Sequence, residues 1–254
     1  MNIDRQINFA IEKKIKKLEM NLLNCRGISQ CNKYFFPHKD FPTCNSLTTL
    51  RLKNVNVTGE VNIEHFLSNC LALETLYIQS SDSLVNLKVA GPLLRLKYLE
   101  IRYCSVKKVE ISAVNLISFK YFRPKIRMPL KHAPRLVELA IGGYYYILQS
   151  FCKLSRYLYR IDTLTLHENM LKILDEVPVL TNLKQLKFIT DVIDRDPTLL
   201  AITSLIEAAS FLQRFIFQVL VLKLLTFGEE NKSPKGDLIN TLRWWKSLSL
   251  QAKP

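Results

Sequence analysis

The stretch at residues 73–101, LETLYIQSSDSLVNLKVAGPLLRLKYLEI, decides the fold of this chain. It repeats one pattern three times: an apolar residue, two others, an apolar residue, one other and a third apolar residue. The copies are Leu73/Leu76/Ile78, Leu84/Leu87/Val89 and Leu96/Leu99/Ile101, and they begin only 11 and 12 residues apart. Leucine-rich repeats use this pattern for their strands, but with a period of about 20 to 29 residues. The stretch therefore belongs either to a repeat protein or to a run of ordinary short strands.

The same pattern recurs along the chain, which favours a repeat protein. The further copies are Ile15/Leu18/Met20, Leu47/Leu50/Leu52, Val106/Val109/Ile111, Leu116/Phe119/Tyr121, Leu136/Leu139/Ile141, Ile161/Leu164/Leu166 and Leu183/Leu186/Phe188. If the copies at Leu84 and Val106 are set aside, the remaining copies begin at positions 15, 47, 73, 96, 116, 136, 161 and 183. Their spacings are 32, 26, 23, 20, 20, 25 and 22 residues, so all but the first lie in the leucine-rich range.

This spacing predicts an α/β fold, a leucine-rich repeat solenoid in the shape of a horseshoe or arc with helical caps. Parallel strands line its concave side, because apolar residues two apart point to one face of a strand and build a core. The copies at Leu84 and Val106 lie about halfway round their coils. They are predicted to be convex strands, since coils of 20 to 23 residues leave too little chain for a helix. Asn86 and Lys88 should then face away from the concave side.

Four segments are expected along the chain. Residues 1–22 should form an N-terminal capping helix and first strand, residues 23–190 the solenoid, residues 191–227 a C-terminal helical cap, and residues 228–254 a poorly ordered tail. Asp4 is expected to cap the first helix, whose Ile7, Phe9, Ala10 and Ile11 should cover the open first coil.

The C-terminal cap is expected to contain two helical stretches. Asp196 and Pro197 open the first. The second is the most apolar run of the chain, residues 211–227, which includes Arg214 and Lys223 and is shorter than the ~20 residues that a membrane span needs. We expect this run to be a buried or interfacial helix.

Charge and cysteine content limit the class of protein. Lys and Arg outnumber Asp and Glu by 36 to 22, a net charge of +14, without a block of basic residues, so a solvated basic surface is the simplest interpretation. The N-terminus lacks a secretory apolar core, which predicts an intracellular protein in the cytoplasm or nucleus. The six cysteines are therefore expected as thiols without a zinc site. Cys104 and Asn169 follow the pattern by three places, where such residues turn inward and bond backbone carbonyls.

Five fragments give the chain a family resemblance. They are INFAIEKKIKKLEMNL, FLSNCLALETLYIQ, LKYLEIRYCSVKKVEISAVNLISFKYF, HAPRLVELAIGG and VPVLTNLKQLKFI. Together they resemble the leucine-rich region of plant F-box/LRR proteins of the FBD type, over roughly residues 3–217. The most specific part is residues 115–143, in which "NL-SF-Y" is followed by "AP-LVELAI".

The resemblance implies a substrate receptor of a ubiquitin ligase. In that family the F-box binds a Skp-type adaptor and a cullin, while the leucine-rich region selects the target protein. This chain begins where the family's leucine-rich region begins, and its tail differs from the FBD module. The expected partner is therefore an unknown target protein, with the adaptor and cullin only if an F-box is supplied elsewhere.

The outward residues of the predicted concave strands are the candidate site. The central coils mix aromatic residues with Arg and Lys, the types enriched at binding hot spots. The candidate partner-binding residues are Arg51, Tyr77, Tyr98, Arg102, Lys120 and Phe122. The alternative is that these residues have no binding role and form only the exposed side of a sheet.

No catalytic, cofactor or metal site is predicted. The chain has seven glycines without a phosphate-binding GxGxxG or GKS/GKT motif, and its four histidines are isolated. We expect a protein that is not an enzyme and has no membrane partner. Two other classes stay open. One is a basic nucleic-acid-binding protein, which the positive net charge favours although the sequence contains no recognised nucleic-acid-binding motif. The other is a truncated remnant without function.

Overall fold

Short parallel strands are the most frequent elements among the described residues of the chain in its computed structural model. The structure describes residues 3–22, 34–36, 43–57, 60–91, 94–122, 130–142, 157–167, 179–190, 196–222 and 243–251. The described elements, in chain order, are α1 (Ile3–Glu12), β1 (Lys17–Asn21), β2 (Thr49–Lys53), α2 (Glu60–Asn69), β3 (Thr75–Gln79), β4 (Asn86–Ala90), β5 (Tyr98–Arg102), β6 (Lys108–Ser112), β7 (Ser118–Phe122), β8 (Leu130–His132), β9 (Glu138–Gly142), β10 (Thr163–His167), β11 (Gln185–Thr190), α3 (Asp196–Glu207), β12 (Arg214–Leu222) and β13 (Arg243–Gln251).

The strands form two sheets around one core. A ten-stranded sheet has the order β1-β2-β3-β5-β7-β9-β10-β11-β12-β13, and a three-stranded sheet has the order β4-β6-β8. Within the larger sheet, every pair is parallel except β12 and β13. Inward residues of both sheets, such as Ile78 of β3 and Val89 of β4, belong to the same core cluster. The predicted solenoid with concave and convex strands is confirmed.

The stretch at residues 73–101 contains strands of both sheets. β3 pairs with β5 through Leu76↔Leu99 and Ile78↔Ile101, although β4 lies between them in the chain. β4 pairs instead with β6, the strand that begins after Val106. Both copies that were set aside by their spacing are therefore convex strands, as predicted. β8, the third convex strand, is only three residues long and was not predicted.

The repeat pattern supplies the core directly. The register places Leu50, Leu76, Leu99 and Phe119 side by side across four neighbouring strands, and each is at most 1% exposed. Full burial of a Leu or Phe side chain contributes about 1.5–3 kcal/mol. Because each coil packs on its neighbours, the core is continuous along the solenoid.

Buried polar positions at the strand ends are satisfied between coils. Cys104 is buried, and its thiol donates towards the carbonyls of Ile78 at 3.7 Å and Arg102 at 3.3 Å, as predicted. Ser81 occupies the same place in the preceding coil, where its hydroxyl accepts a hydrogen bond of 2.9 Å from the Val57 amide. The sequence prediction did not include Ser81. Asn169 lies outside the described residues.

Polar side chains also connect the turns that precede the concave strands. The Asn115 amide donates to the Leu94 carbonyl at 2.9 Å, and the Arg160 guanidinium donates to the Pro134 carbonyl at 3.1 Å. These bonds link each coil to the one before it. The strands that carry the outward side chains are therefore held in position by hydrogen bonds between neighbouring coils.

The N-terminal segment folds as a helix and a strand, but one of its predicted contacts is wrong. Ile7 and Ile11 of α1 are buried, whereas Phe9 is 60% exposed. Residues four apart share a helix face, while a residue two positions away points to nearly the opposite side. Phe9 therefore does not cover the first coil.

The C-terminal cap is helical only in its first half. α3 begins at Asp196 as predicted, but the apolar run after it contains the strand β12 instead of a helix. Leu212, Phe215 and Phe217 in fact form another copy of the repeat pattern. Phe217 lies opposite Phe188 of β11 in the register, with ring centroids 6.0 Å apart. The β-branched and aromatic residues of β12, RFIFQVLVL, favour a further concave strand.

The described part of the tail, Arg243–Gln251, is the strand β13. The poorly ordered tail expected over residues 228–254 stays a prediction. β13 pairs antiparallel with β12 over nine residues. It satisfies backbone groups that the outer edge of β12 would otherwise leave unpaired. None of the described helices is long and apolar enough to cross a membrane.

Candidate functional site

The outward residues of the nine parallel strands in the ten-stranded sheet form three rows, because these strands are in register. The central row contains Glu19, Arg51, Tyr77, Glu100, Lys120, Ala140, Thr165, Lys187 and Ile216. The row at the C-terminal strand ends contains Asn21, Lys53, Gln79, Arg102, Phe122, Gly142, His167, Ile189 and Gln218. The row at the opposite ends contains Lys17, Thr49, Thr75, Tyr98, Ser118, Glu138, Thr163, Gln185 and Arg214.

The structure brings the predicted residues together on β2, β3, β5 and β7, four consecutive strands of this face. Their positions in the rows differ. The predicted residues are Arg51, Tyr77 and Lys120 of the central row, Arg102 and Phe122 of the C-terminal row, and Tyr98 of the third row. All but Phe122 are at least partly exposed.

Arg51 and Tyr77 form the first contact of the site. The Arg51 guanidinium carbon lies 5.7 Å from the centroid of the Tyr77 ring, and its Nε lies 3.2 Å from the Glu19 carboxylate. The Tyr77 hydroxyl donates to the side-chain carbonyl of Gln79. Burial, followed by the nearby charge of Glu100, raises the pKa of Tyr77 above its ordinary value. The phenol is therefore held as a neutral hydrogen-bonding group beside a cation.

Two ion pairs fix the next cations. Arg102 forms an ion pair with Glu100 on its own strand, and Lys120 reaches across to Glu138 at 2.6 Å. The four side chains are each about a quarter to a third exposed, so their charges are only partly solvated. Ion pairs of this kind add little stability, but they hold the cations in defined positions.

The expectation that Phe122 is an exposed contact is wrong, because this residue is only 5% exposed. The Arg102 guanidinium carbon lies 3.9 Å from the centroid of its ring, and the His167 ring meets it edge-on at 6.1 Å. Gly142 lies between Phe122 and His167 in the register. A Cβ at Gly142 would lie 2.7 Å from Phe122 Cδ1 and 2.9 Å from His167 Cβ. The missing side chain thus creates the notch in which the aromatic ring is buried.

Tyr103 is a candidate that the repeat pattern did not indicate. It directly follows β5, is 50% exposed and has a φ of 50°, in the left-handed region. Asn54 and Ser80 have similar φ angles of 57° and 56° directly after β2 and β3. A left-handed bend recurs at this point in successive coils, and such residues can be identified only once the strand ends are known. Tyr98, 45% exposed, stands at the other end of the same strand.

Cations outnumber carboxylates on the outward face of β1 to β12. The cations are Lys17, Arg51, Lys53, Arg102, Lys120, Lys187 and Arg214, and the carboxylates are Glu19, Glu100 and Glu138. Each of these carboxylates already pairs with a cation. Within the part of the chain that the structure describes, Lys187 and Arg214 form no ion pair, and no cluster of His, Cys, Asp or Glu suited to a metal occurs.

A protein-family model described as "At1g61320/AtMIF1, LRR domain" matches residues 20–227. The chain belongs to this leucine-rich-repeat family. The At1g61320/AtMIF1 LRR domain thus extends from the end of β1 past the end of β12 and includes every predicted site residue. α1 and β13 lie outside the matched range. No curated protein and no solved structure matches the chain.

Proposed function

We propose that this At1g61320/AtMIF1-type LRR domain is a protein-interaction module whose concave face binds an acidic segment of a target protein. The observation that carries the proposal is the arrangement of Arg51 against Tyr77 and Arg102 against Phe122 on one face with excess positive charge. Arginine and aromatic side chains dominate binding energy at protein interfaces, and complementary charge selects the partner and speeds association.

Preorganisation supports this assignment. The ion pairs and ring contacts hold Arg102 and Lys120 before a partner arrives, so less conformational entropy is lost on binding. An incoming carboxylate can compete with Glu100 or Glu138 for these cations. Tyr98 and Tyr103 at the two ends of β5 add exposed aromatic surface on either side of that contact.

The proposed biological role is substrate recognition for an SCF-type ubiquitin ligase, with no catalytic role for the chain itself. Support comes from the resemblance to F-box/LRR proteins and from membership in a plant leucine-rich-repeat family. Association with a Skp-type adaptor requires an F-box joined in frame or supplied by another chain. Co-purification of the adaptor with the full gene product tests this role, and an adaptor-free target complex would contradict it.

Binding on the concave face is tested by two variants with equal loss of charge. Arg102→Ser/Lys120→Ser removes two cations from the concave face, and Lys88→Ser/Lys131→Ser removes two from the convex sheet. Selection from a random peptide library on the wild-type chain should enrich peptides rich in Asp and Glu. The selected peptides should bind the concave variant at least about tenfold more weakly and the convex variant equally well.

Three results would contradict the proposal. Equal losses in both variants would indicate a general attraction to positive charge, which is the behaviour expected of the nucleic-acid alternative. Steep salt-dependent binding to duplex DNA, stronger than binding to any selected peptide, would support that alternative directly. A folded chain that enriches no peptide would favour the remnant without function.

A further inference from the structure

The outer edge of β1 is the end of the concave sheet. Among the described residues, β1 pairs with β2 alone. The Thr49 amide donates to the Lys16 carbonyl at 3.1 Å, and the Leu22 amide donates to the Lys53 carbonyl at 3.1 Å. Since successive residues of a strand direct their backbone groups to opposite sides, residues 16, 18, 20 and 22 bond β2. The amides and carbonyls of 17, 19 and 21 therefore face the outer edge, hereafter the β1 edge.

The core beneath the β1 edge is also incompletely covered. Leu18 and Met20 are only partly buried, whereas Leu50 and Leu52, their neighbours on β2, are 1% exposed. α1 contributes buried isoleucines to this end of the core but leaves the two β1 side chains partly exposed. An additional strand would pair the outward backbone groups and bring side chains over this apolar surface.

The charge around the β1 edge selects among possible strands. The exposed lysines here are Lys13, Lys14, Lys16 and Lys17. Glu19 is already paired with Lys17 at 3.1 Å and with Arg51 at 3.2 Å, which leaves Glu12 as the exposed acid of this segment. Lysines beside an open edge discourage pairing with another copy of a basic chain, and this chain carries +14. The same lysines attract a strand rich in Asp and Glu.

We propose that the β1 edge is a second binding site, at which an extended acidic segment of a partner protein adds as a strand of the concave sheet. Backbone hydrogen bonds to residues 17, 19 and 21 supply the register, and the neighbouring lysines select the partner by charge. This site is separate from the central concave residues. A partner can therefore contact the edge and the concave face at the same time.

Proline substitution at Asn21 tests the site without changing charge. Asn21 is the last residue of β1, its side chain is exposed, and its amide is one of the outward donors. Asn21→Pro removes this donor, whereas Asn21→Ala removes only the side chain and keeps the amide. The probe is a fluorescent peptide of about eight residues that alternates Glu and Val, long enough to cover one strand. A Lys/Val peptide of equal length is the control for charge.

Fluorescence anisotropy should show three results. The Glu/Val peptide should bind the wild type and Asn21→Ala with equal affinity. It should bind Asn21→Pro at least about tenfold more weakly. On all three chains, its affinity should be higher than that of the Lys/Val peptide. Amide hydrogen exchange gives an independent readout if the proline variant fails to fold. In the wild type, the peptide should protect the amides of Lys17, Glu19 and Asn21. In Arg102→Ser/Lys120→Ser this protection should persist, which separates the β1 edge from the concave site.

Three outcomes would overturn the inference. Equal peptide binding by Asn21→Pro and Asn21→Ala, together with unprotected β1 amides, would place the peptide elsewhere. Preference for the Lys/Val peptide would refute selection by charge. A concentration-dependent dimer that Asn21→Pro converts to a monomer would assign the β1 edge to a second copy of the chain.

Discussion

Gly142 controls the packing of the concave face at the residue scale. Its missing side chain allows Phe122 and His167 to meet, and a Cβ there would also lie 2.9 Å from the His167 carbonyl oxygen. We predict that Gly142→Ala destabilises the fold by about 1–3 kcal/mol, the range for overpacking a buried site. Urea denaturation monitored by circular dichroism measures the difference.

The double variant Gly142→Ala/Phe122→Leu is the control for this prediction. The closest contact, 2.7 Å to a Phe122 ring atom, disappears when the ring is replaced. The double variant should therefore lose less stability than the sum of the two single changes. Strict additivity would show that the ring does not cause the clash.

Tyr103 gives a prediction of opposite sign. Its left-handed φ of 50° is unfavourable for an aromatic residue, while Asn54 at the equivalent strand end shows that asparagine occupies this geometry. Tyr103→Asn should stabilise the chain by roughly 0.5–1 kcal/mol in urea denaturation. Tyr103→Ala is the control, because alanine keeps the unfavourable φ and removes the ring. If both variants behave alike, the side chain rather than the backbone angle sets the stability at this position.

The candidate site was predictable to the extent that it depends on strand alternation. Arg51, Tyr77, Tyr98, Arg102 and Lys120 lie on the outward side because the apolar partners beside them fix the inward side. The burial of Phe122 depends instead on a glycine in the next coil and a histidine in the coil after that. No pattern within one strand carries this information.

The convex sheet allows a pH prediction at the element scale. Lys131 of β8 bonds the Glu110 carboxylate of β6 at 2.7 Å, and this hydrogen bond lowers the pKa of Glu110 below its ordinary value. A carboxyl group with a lowered pKa stabilises the folded state above its unfolded pKa of about 4.3. This contribution is lost as the pH falls through the lower, folded pKa. An NMR titration of the Glu110 carboxyl carbon should give a midpoint below that of an exposed glutamate.

Lys131→Gln should return the pKa of Glu110 towards its ordinary value. The hydrogen bond from the charged Lys131 side chain is the main cause of the lowered pKa, and glutamine carries no charge. Lys108 and Lys88 contribute smaller effects, so the return should be incomplete. Glu110→Gln should weaken the dependence of stability on pH in the acidic range. An unchanged Glu110 midpoint in Lys131→Gln would show that the bond between β6 and β8 does not form in solution.

Elements were predictable where their length was constrained by the repeat. A coil of about 20 residues leaves no room for a helix between two concave strands, and this steric limit identified β4 and β6 as convex strands. β8 escaped prediction because it has three residues and a register shift against β6. β12 was misassigned because a continuous apolar run has no decisive periodicity, although its Leu212/Phe215/Phe217 pattern continues the repeat. β13 was missed because its residues were assigned to the tail, although Trp245/Leu248/Leu250 have the spacing of the repeat pattern.

The balance between self-repulsion and ion pairing decides the salt response of the whole molecule. The chain carries a net charge of +14, and its described ion pairs are all partly exposed. Repulsion among excess charges destabilises a compact state. Salt weakens this repulsion, because the screening length is only about 8–10 Å near physiological ionic strength. Exposed ion pairs are each worth only about 0–1 kcal/mol, so their loss should not offset the relief of repulsion.

The melting temperature should therefore rise when NaCl is increased from low to physiological concentration. A gain of about 1 kcal/mol would correspond to roughly 2–4 °C for a protein of this size, which differential scanning calorimetry resolves. Lys88→Ser/Lys131→Ser lowers the net charge at the convex sheet and should respond less to salt. Because screening requires no specific anion, sodium chloride and sodium acetate should act alike at equal ionic strength. A fall in melting temperature with salt would instead mean that the ion pairs along the concave face contribute more to stability than the excess charge costs.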